Sequence, residues 1–394
     1  MDEGLMKTYA RADEVFVSGH GAVLQDSTGR EFLDFLAGIA VSALGHGHAA
    51  LTEALRDQVG KVVHLSNLFR HPYTERVATR LCQLTDMGAA FFTNSGTEAI
   101  ECALKLARKA MQMRGTPERT SFVALEGGFH GRSLGALSLT WSEKYRKPFQ
   151  PLQKVTWVPP EDVGALKAAL AADQPAALVL EPVQGEGGIR ELSTSYLQQA
   201  RALCTATGTL LVHDEIQSGC GRTGRFLAAQ HAGVVPDVVT LAKPIAAGLP
   251  MGACLTTTAL ADTFAKGEHG STFAGGPLVC RAALVFLDEI DRGLLGNVME
   301  RGQQLREGLE ALQREFKIVR EVRGRGLMLG LRLHHSAEAV QKALYKNGLI
   351  VNCTATDVLR IVPPFVITAA NVQAGLQRLR TTLAAFPGSA QETP

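Results

Sequence analysis

The sequence predicts an α/β protein built on a mostly parallel sheet that is covered by helices. Short apolar runs alternate with helical patterns such as AIECALKLARKAM and SYLQQARALCTATG, an alternation typical of βαβ units. The strand candidates are AAFFT (89–93), SFVAL (121–125), ALVLEPV (177–183), TLLVHDE (209–215), VVTLA (238–242) and GACLTT (252–257). Because ligands bind beyond the carboxyl ends of such strands, we expect the functional residues there.

The length of 394 residues, with 46% hydrophobic residues, allows a large core and suggests more than one domain. We predict a large ligand-binding domain at 51–275 and a smaller α+β domain at 276–394. The turn-rich segment 1–50 is expected to pack with the smaller domain. The last residues, PGSAQETP, are typical of a frayed tail.

Composition and charge argue against several classes of function. The formal net charge is +2 and no block of lysine or arginine stands out, so no nucleic-acid partner is expected. The N-terminus carries early acids and no long apolar segment, and no window approaches the ~20 apolar residues of a membrane span. The seven cysteines are scattered and form no CxxC, which predicts free thiols, a cytoplasmic location and no zinc site.

A lysine directly follows an apolar strand candidate in the stretch LAKPIAAGLP (241–250). Burial lowers the pKa of a lysine from about 10.4, and a neutral amine forms Schiff bases with aldehydes. Pro244 disfavours helical geometry at the residue before it, so we expect Lys243 to be extended. For a lone lysine, a side chain that reaches outward to solvent is the commoner interpretation.

Polar residues also follow two other strand candidates. Ser95 and Glu98 form a capping box, which alone indicates an ordinary helix start, but with Gly96 beside it this terminus also offers an anion site. Asp214 lies at the inner end of a strand candidate, where a carboxylate is costly unless a cation meets it. It either pairs with an arginine such as Arg222 or holds a proton on a ring nitrogen of a cofactor.

Three short motifs fit known signatures in the wrong context. GCGRTG (219–224) fits the dinucleotide pattern of an NAD-dependent oxidoreductase, but Asp214 and Glu215 precede the glycines and would repel a pyrophosphate. GRSLG (131–135) fits the hydrolase pattern around Ser133, but the preceding strand ends too early and no helix clearly follows. The histidines of GHGH (45–48) are more typical of a turn than of a metal site.

With an aromatic residue at Phe129, these parts match a pyridoxal 5′-phosphate (PLP) site: an amine, an anion cradle, an acid and a stacking ring. The chain resembles the class III aminotransferases of PLP fold type I, and among them the acetylornithine aminotransferases. The resemblance spans nearly the whole chain, through AGIAVSALGHGH, TNSGTEA, GFHGRSLGALSLT, EPVQGEGG, LVHDEIQSGCGRTG, TLAKPIAAGLPMGA, HGSTF, VRGRGLM and VLRIVPP. It implies a large domain with a mostly parallel seven-stranded sheet, a smaller α+β domain and a homodimer with shared active sites.

The resemblance also implies the roles of individual residues toward the cofactor. Lys243 would bind PLP covalently and later move a proton, and Asp214 would keep the ring nitrogen protonated. The other implied contacts are Gly96 and Thr97 at the phosphate, Phe129 and His130 at the ring, Gln217 near the phenolic oxygen, and Thr272 at the phosphate of the neighbouring subunit.

The implied substrate residues centre on two arginines, because a guanidinium can bind a carboxylate in bidentate fashion. Arg132 would bind the carboxylate of an acylated ornithine, and Arg360 that of 2-oxoglutarate. Glu181 would neutralise Arg360 when an amino donor is bound, and Ser271 would line the substrate site. Without the resemblance, a surface ion pair would explain either arginine.

The sequence departs from the family pattern at three positions. Ser42 and Gly276 each stand where asparagine is usual, and Ile39 replaces a tyrosine that ornithine δ-aminotransferases use for the free α-amino group. The absence of that tyrosine favours an N-acylated substrate, whereas Ser42 and Gly276 leave the acyl group open: acetyl, succinyl or something larger. We expect transfer of the δ-amino group of N2-acetylornithine to 2-oxoglutarate, giving N-acetylglutamate 5-semialdehyde and glutamate, as in arginine biosynthesis. Succinylornithine, succinyl-diaminopimelate, ornithine and 4-aminobutyrate stay open as alternative donors, and a non-catalytic binding protein is disfavoured.

Overall fold

The computed structural model describes residues 4–386, whose strands form one large sheet and several smaller ones. The strands are β1 (Phe16–His20), β2 (Val23–Asp26), β3 (Glu31–Asp34), β4 (Ala89–Thr93), β5 (Phe122–Leu125), β6 (Val155–Val158), β7 (Ala177–Leu180), β8 (Val183–Gln184), β9 (Arg190–Glu191), β10 (Leu210–Asp214), β11 (Val238–Leu241), β12 (Gly252–Thr256), β13 (Val319–Arg325), β14 (Met328–Leu333), β15 (Leu349–Ile350), β16 (Asn352–Thr354) and β17 (Val358–Ile361). The predicted tail at 387–394 lies outside the described residues.

The helices alternate with the strands of the large sheet and then dominate the C-terminal third. They are α1 (Ala37–Ala40), α2 (Ala49–Val59), α3 (Thr74–Thr85), α4 (Gly96–Met113), α5 (Leu134–Leu139), α6 (Glu143–Arg146), α7 (Val163–Asp173), α8 (Thr194–Thr207), α9 (Pro277–Asp291), α10 (Leu294–Glu315), α11 (Glu338–Lys346) and α12 (Ala369–Ala384). Short 3-10 turns lie at Lys147–Phe149, Ala228–His231, Lys243–Ala246 and Thr258–Leu260.

The large sheet has seven strands in the order β4-β12-β11-β10-β7-β5-β6. Neighbours run parallel except around β12, which is antiparallel to both β11 and β4. The predicted α/β class and mostly parallel seven-stranded sheet are therefore confirmed. Two details differ from the strand candidates. The edge strand β6 was not among them, and ALVLEPV is interrupted after Leu180, where Pro182 lacks the N–H that a ladder needs.

The inner strands of this sheet are buried on both faces, because helices cover both. Phe122 of β5 packs with Ile100 of α4 on one face. The next residue, Val123, points to the other face and packs with Leu166 of α7 and Leu197 of α8. This double burial explains why β5, β7 and β11 are apolar at nearly every position and do not alternate with polar residues.

Two four-stranded sheets lie outside the large one. In the first, β1-β2-β3-β15, Leu33 of β3 pairs in parallel with Leu349 of β15, so the N-terminal segment joins the C-terminal part of the chain. In the second, β13-β14-β17-β16, Arg360 of β17 lies opposite Asn352 of β16. The domain limits at residues 50 and 275 stay a prediction.

Two structural facts bear on the composition. No helix in the described range is long and apolar enough to cross a membrane. All seven cysteines are free, as the scattered spacing predicts. The cytoplasmic location stays a prediction.

Candidate active site

A cavity of about 490 Å³ opens where β4, β10 and β11 end. These three strands point the same way, so the polar residues that follow them meet at one edge of the sheet. The predicted residues that line the cavity are Gly96, Thr97, Phe129, His130, Arg132, Glu181, Asp214, Gln217 and Lys243.

Lys243 directs its side chain into this cavity from the 3-10 turn after β11. Burial, followed by the charge of Arg360, lowers the pKa of its amine to about 8, although Glu186, Asp214 and Glu181 act in the opposite direction. The expected extended backbone is wrong: Lys243 has φ of +41°. Proline disfavours the right-handed helical region at the preceding residue, and here the chain takes the left-handed region instead. Such geometry costs about 1–3 kcal/mol in a non-glycine residue.

Asp214 ends β10 and is buried beside His130. Its Oδ2 lies 2.7 Å from His130 Nδ1, and its Oδ1 accepts from the backbone N–H of Ile216 at 3.1 Å. Burial lowers the pKa of His130, but the hydrogen bond and charge of Asp214, with the charge of Glu181, raise it overall. The partner of Asp214 is therefore His130 and not Arg222.

The start of α4 forms one wall of the cavity, and Gly96 and Thr97 are its first two residues. Ser95 caps this helix by accepting from the N–H of Glu98 at 3.4 Å. The hydroxyl of Thr97, which lines the cavity, lies 2.6 Å from that of Ser133, which stands outside the cavity lining. A helix N-terminus with two adjacent hydroxyls is a favourable place for a phosphate.

Glycine at position 131 makes this contact between loop and helix possible. Its φ is +137°, and a Cβ there would lie only 2.4 Å from Thr97 Oγ1. The GFHGR loop can therefore pack directly on the first turn of α4.

Arg360 is buried and pairs with Glu186, not with Glu181. Its Nη1 lies 2.6 Å from Glu186 Oε1 and also donates to Gln217 Oε1 at 3.2 Å, while its Nε donates to Asn352 Oδ1 at 3.0 Å. The expected pair between Glu181 and Arg360 is therefore corrected. Both glutamates occur in EPVQGEGG, and the turn after β8 brings the second of them to the arginine.

Glu181 instead holds two backbone groups together. Its Oε1 accepts from the N–H of Phe129 at 2.9 Å, and its Oε2 accepts from the N–H of Gly185 at 3.0 Å. Burial raises the pKa of this carboxyl to about 7; His130 opposes the shift and Asp214 adds to it. Glu181 thus fixes the loop that carries Phe129 relative to the loop that carries Glu186.

Arg132 is exposed at the cavity wall and lies against two aromatic rings. Its guanidinium carbon is 3.7 Å from the ring centroid of Tyr145 and 5.6 Å from that of Phe129. In the described part of the chain it has no ion-pair partner, so the surface ion pair considered for this arginine does not occur there.

The predicted residues of HGSTF do not line the cavity of this chain. Ser271 is linked to its rim, because its hydroxyl accepts from Asn94 Nδ2 at 3.0 Å. Thr272 is exposed, as is Phe273, which is 66% accessible. Nor does Ile39 line the cavity, where Val41 is the neighbouring wall residue.

The competing motifs have structural explanations. The glycines of GCGRTG are followed by turns and not by a helix, and Arg222 is buried over the ring of Phe365 at 4.3 Å, where it donates to the carbonyl of Leu327. A helix does follow GRSLG, contrary to the expectation, but Ser133 contacts Thr97 and not a histidine. Among residues 4–386 no cluster of metal-ligating side chains occurs, and His46 of GHGH pairs with Asp34 at 2.9 Å.

The residues of the cavity fit the predicted cofactor. An amine of lowered pKa, a buried carboxylate and a helix N-terminus line the same space as the ring of Phe129. The approach of Ile216 to the helix start also requires Gly96, since a Cβ there would lie 2.8 Å from that side chain. An aldehyde, a ring nitrogen and a phosphate each meet a suitable group.

Sequence reasoning missed several residues of the site. Glu186 belongs to the motif EPVQGEGG, but the spacing alone does not show which acid reaches Arg360. Asn352 and Tyr145 gave no signal, because each stands in an ordinary short strand or helix and acquires its contact only through the fold. Ser133 was considered only as a nucleophile.

Comparison with known proteins identifies close relatives. The family model "Aminotransferase class-III" matches residues 8–383. The acetylornithine aminotransferase of Aquifex aeolicus is 42% identical over 382 residues, which cover 96% of this chain and 99% of that protein. That of Methanopyrus kandleri is 42% identical over 390 residues, with 98% of each chain covered.

Solved structures agree with this fold. An N-acetylornithine aminotransferase from Stenotrophomonas maltophilia has a TM-score of 0.84 and 37% identity, covering 96% of this chain and 97% of that one. The ornithine aminotransferase of Toxoplasma gondii, described with partial PLP occupancy at its active site, has a TM-score of 0.93 and 32% identity, covering 97% and 92%. The predicted architecture is therefore confirmed.

Proposed function

Because this chain belongs to the class-III aminotransferases, which use PLP, we propose that it transfers the δ-amino group of N2-acetylornithine to 2-oxoglutarate. The products would be N-acetylglutamate 5-semialdehyde and glutamate. The curated relatives named acetylornithine aminotransferase, together with the geometry around Arg360, support this choice of substrate.

The observation that carries the proposal is the pair between Arg360 and Glu186. The carbon that bears the δ-amine of an ornithine has no carboxylate, whereas the corresponding carbon of glutamate does. One site must therefore accept a reacting carbon that carries a carboxylate and a reacting carbon that does not. A buried arginine covered by a partly exposed carboxylate meets this need, because Glu186 neutralises Arg360 for one substrate and gives way to a carboxylate for the other.

Lys243 and Asp214 would perform the proton chemistry. PLP, when bound, supplies an aldehyde that accepts the amino group and a ring that withdraws electrons from the reacting carbon. Lys243 would bind it covalently and move the proton at the reacting carbon, helped by a pKa of about 8, which leaves far more of the amine neutral near physiological pH than in an ordinary lysine. Asp214, held by His130, keeps a proton at the pyridine nitrogen.

The remaining residues would hold the two substrates and the cofactor. Gly96 and Thr97 would hold the phosphate, with Ser133 supporting the hydroxyl of Thr97, and Phe129 would stack on the ring. Gln217 lies beside Arg360 and would lie near the phenolic oxygen of the cofactor. Arg132 would bind the carboxylate of acetylornithine. Succinylornithine, ornithine, succinyl-diaminopimelate and 4-aminobutyrate are the competing donors.

We propose further that the protein works as a homodimer. Leu68 and Phe69 are 87% and 65% accessible, and Asn67 beside them donates to the carbonyl of Ser271 at 3.0 Å. This exposed apolar surface continues into the loop of Thr272 and Phe273 and suits a contact between two copies. Thr272 would then complete the phosphate site of the partner.

A substrate panel tests the proposal. Relative kcat/KM is measured for N2-acetylornithine, N2-succinylornithine, ornithine, succinyl-diaminopimelate and 4-aminobutyrate at fixed 2-oxoglutarate. We expect N2-acetylornithine to give the highest value. Borohydride trapping followed by peptide mass spectrometry should place the cofactor on Lys243, and an adduct on another lysine would contradict the assignment.

A further inference from the structure

Arg132 is a cation whose described surroundings are aromatic. Its guanidinium carbon lies 3.7 Å from the ring centroid of Tyr145, which is a close cation–π distance, and farther, 5.6 Å, from Phe129. The residue lines the cavity, while Tyr145 stands behind it, outside the cavity wall. The edge of the guanidinium therefore stays free for an anion that enters the cavity.

The segment that carries Tyr145 is anchored on both sides of its short helix. The backbone N–H of Trp141 donates to the carbonyl of Gly128 at 2.8 Å, which joins this segment to the loop that carries Arg132. Arg146 donates to the carbonyl of Trp141 at 3.0 Å and lies 5.0 Å from the ring centroid of Trp157 in β6. Helix α6 is thus fixed to the sheet edge as well as to the active-site loop.

An aromatic face beneath a guanidinium has a particular consequence for anion binding. The ring occupies one face of the planar guanidinium and leaves its in-plane N–H donors free. These donors can bind a carboxylate in bidentate fashion. The ring also limits the rotamers of a long side chain, so less conformational entropy is lost when the ligand binds. An acidic partner would instead occupy the donors themselves.

We propose that Tyr145 is a positioning residue that orients Arg132 toward the carboxylate of the amino donor and so sets the preference for carboxylate-bearing donors. This proposal rests on the proposed function for the identity of the donor. It assigns Tyr145 no contact with the reacting atoms. The role of Tyr145 is therefore in substrate binding and not in the chemical steps.

The first test compares two donors that differ only in the carboxylate. N2-acetyl-L-ornithine and N-acetylputrescine have the same amine and the same acetamide. Their half-reactions are followed by the change in cofactor absorbance in holoenzyme preparations of wild type, Tyr145→Leu and Tyr145→Phe. Tyr145→Leu should raise the half-saturating concentration of N2-acetyl-L-ornithine roughly 2- to 30-fold, the range of a cation–π contact, with little change in limiting rate.

Three comparisons separate positioning from a general structural effect. N-acetylputrescine should respond to Tyr145→Leu by less than about twofold, and Tyr145→Phe, which keeps the aromatic face, should behave like wild type. In an Arg132→Gln background, Tyr145→Leu should have little further effect on N2-acetyl-L-ornithine. Equal losses for both donors, or an undiminished effect in the Arg132→Gln background, would overturn the proposal.

The second test measures binding without turnover. N-acetyl-L-norvaline has the acetamide and carboxylate of the donor but no amine, and N-butylacetamide lacks the carboxylate as well. Calorimetry should show weaker binding of N-acetyl-L-norvaline to Tyr145→Leu and unchanged binding of N-butylacetamide. The two hypotheses can fail separately. If the wild type does not convert N2-acetylornithine, the proposed function is contradicted. If N-acetyl-L-norvaline binds the wild type and Tyr145→Leu with equal affinity, the role of Tyr145 is contradicted.

Discussion

Arg360 and Glu186 form an ion pair of 2.6 Å although they lie 174 positions apart in the chain. The side chain of Arg360 is 1% exposed, whereas that of Glu186 is 38% exposed. The arginine is fixed in β17, and the glutamate lies in the turn between β8 and β9. Exchanging its partner for water therefore costs Glu186 less than it costs Arg360.

Glu186→Gln should unbalance the two half-reactions. Loss of the carboxylate leaves Arg360 without a charge partner when an ω-amine is bound, so kcat/KM for N2-acetylornithine should fall roughly 5- to 30-fold. This corresponds to about 1–2 kcal/mol, less than the cost of breaking a fully buried pair, because Glu186 is partly exposed. The KM for 2-oxoglutarate should not rise, since its carboxylate no longer competes with Glu186.

The control for this variant is Glu191→Gln. Glu191 pairs with Arg325 at 2.8 Å outside the cavity, so its loss should leave both half-reactions unchanged. The assignment would be contradicted if Glu181→Gln changed the ratio of the two half-reaction rates and Glu186→Gln did not. Glu181 would then be the residue that neutralises Arg360.

Thr354→Val should produce the same imbalance in weaker form. The hydroxyl of Thr354 donates to the carbonyl of Glu186 at 2.7 Å and so holds this turn against β16. Valine keeps the shape and removes the donor, which costs about 1 kcal/mol, while Thr354→Ser keeps the donor. Half-reaction kinetics of the two variants provide the comparison. Identical behaviour of the valine and serine variants would show that the hydroxyl has no part in placing Glu186.

His130→Gln should destabilise the apoprotein by about 3–5 kcal/mol, because Asp214 would be left buried without a charged partner. The folded-state pKa of His130 is raised above its usual 6.5, so its stabilisation is fully present below about pH 6.5 and is lost as the pH rises through the higher folded-state value. Urea denaturation at several pH values measures this. The difference between wild type and variant should shrink toward alkaline pH, and a difference that grows would contradict the charged pair.

Much of the site could be predicted because its parts are local. A strand end followed by Lys243, or a capped helix that begins at Gly96, is visible in a short window of sequence, and parallel strands bring such windows to one edge. The fold class follows from the same apolar runs, since a strand buried on both faces is apolar at nearly every position.

The parts that could not be predicted depend on distant segments or on local geometry with two solutions. Glu181 and Glu186 are equivalent in a motif, and only the turn after β8 decides which one meets Arg360. The backbone conformation of Lys243 was not predicted correctly, because a following proline disfavours the right-handed helical region and does not exclude the left-handed one. Tyr145 becomes relevant only when α6 packs beside the loop of Arg132.

The reaction of Lys243 with an aldehyde should have its pH midpoint near 8. Burial and the charge of Arg360 lower the pKa of this amine to about 8, so it is mostly neutral above that pH. Apoprotein is exposed briefly to PLP, reduced with borohydride and digested, and the labelled peptides are quantified across pH. Labelling of Lys243 should level off above about pH 8, while that of exposed Lys61, whose pKa is raised by the hydrogen bond that it donates to Asp57, should still be increasing.

A second variant gives the direction of this shift. Glu186 raises the pKa of Lys243, so Glu186→Gln should move the labelling midpoint to lower pH. A midpoint that stays above pH 10 in the wild type would show that the amine is solvated, and the low pKa would then have no part in the reaction.

Mixed dimers should recover activity from two inactive chains. If Thr272 completes the site of the partner, a Lys243→Ala chain and a Thr272→Asp chain each form homodimers with two defective sites. A mixed dimer has one site with both defects and one site with neither. Statistical mixing gives half of the dimers in this form, so the pool should regain about a quarter of the wild-type activity after subunit exchange.

The control is a mixture of two variants whose defects both lie in residues that a subunit contributes to its own cavity. In a mixture of Lys243→Ala and Asp214→Ala chains, each chain again carries one defect. Lys243 and Asp214 line the same cavity of one subunit, so one chain cannot supply the residue that the other lacks. Each mixed dimer would still carry one defect in each site, and no activity should return. If the first mixture recovers no activity, Thr272 serves its own chain and the shared phosphate site is contradicted. Recovery in the control mixture would also contradict it, because activity would then return without the shared site that the first mixture tests.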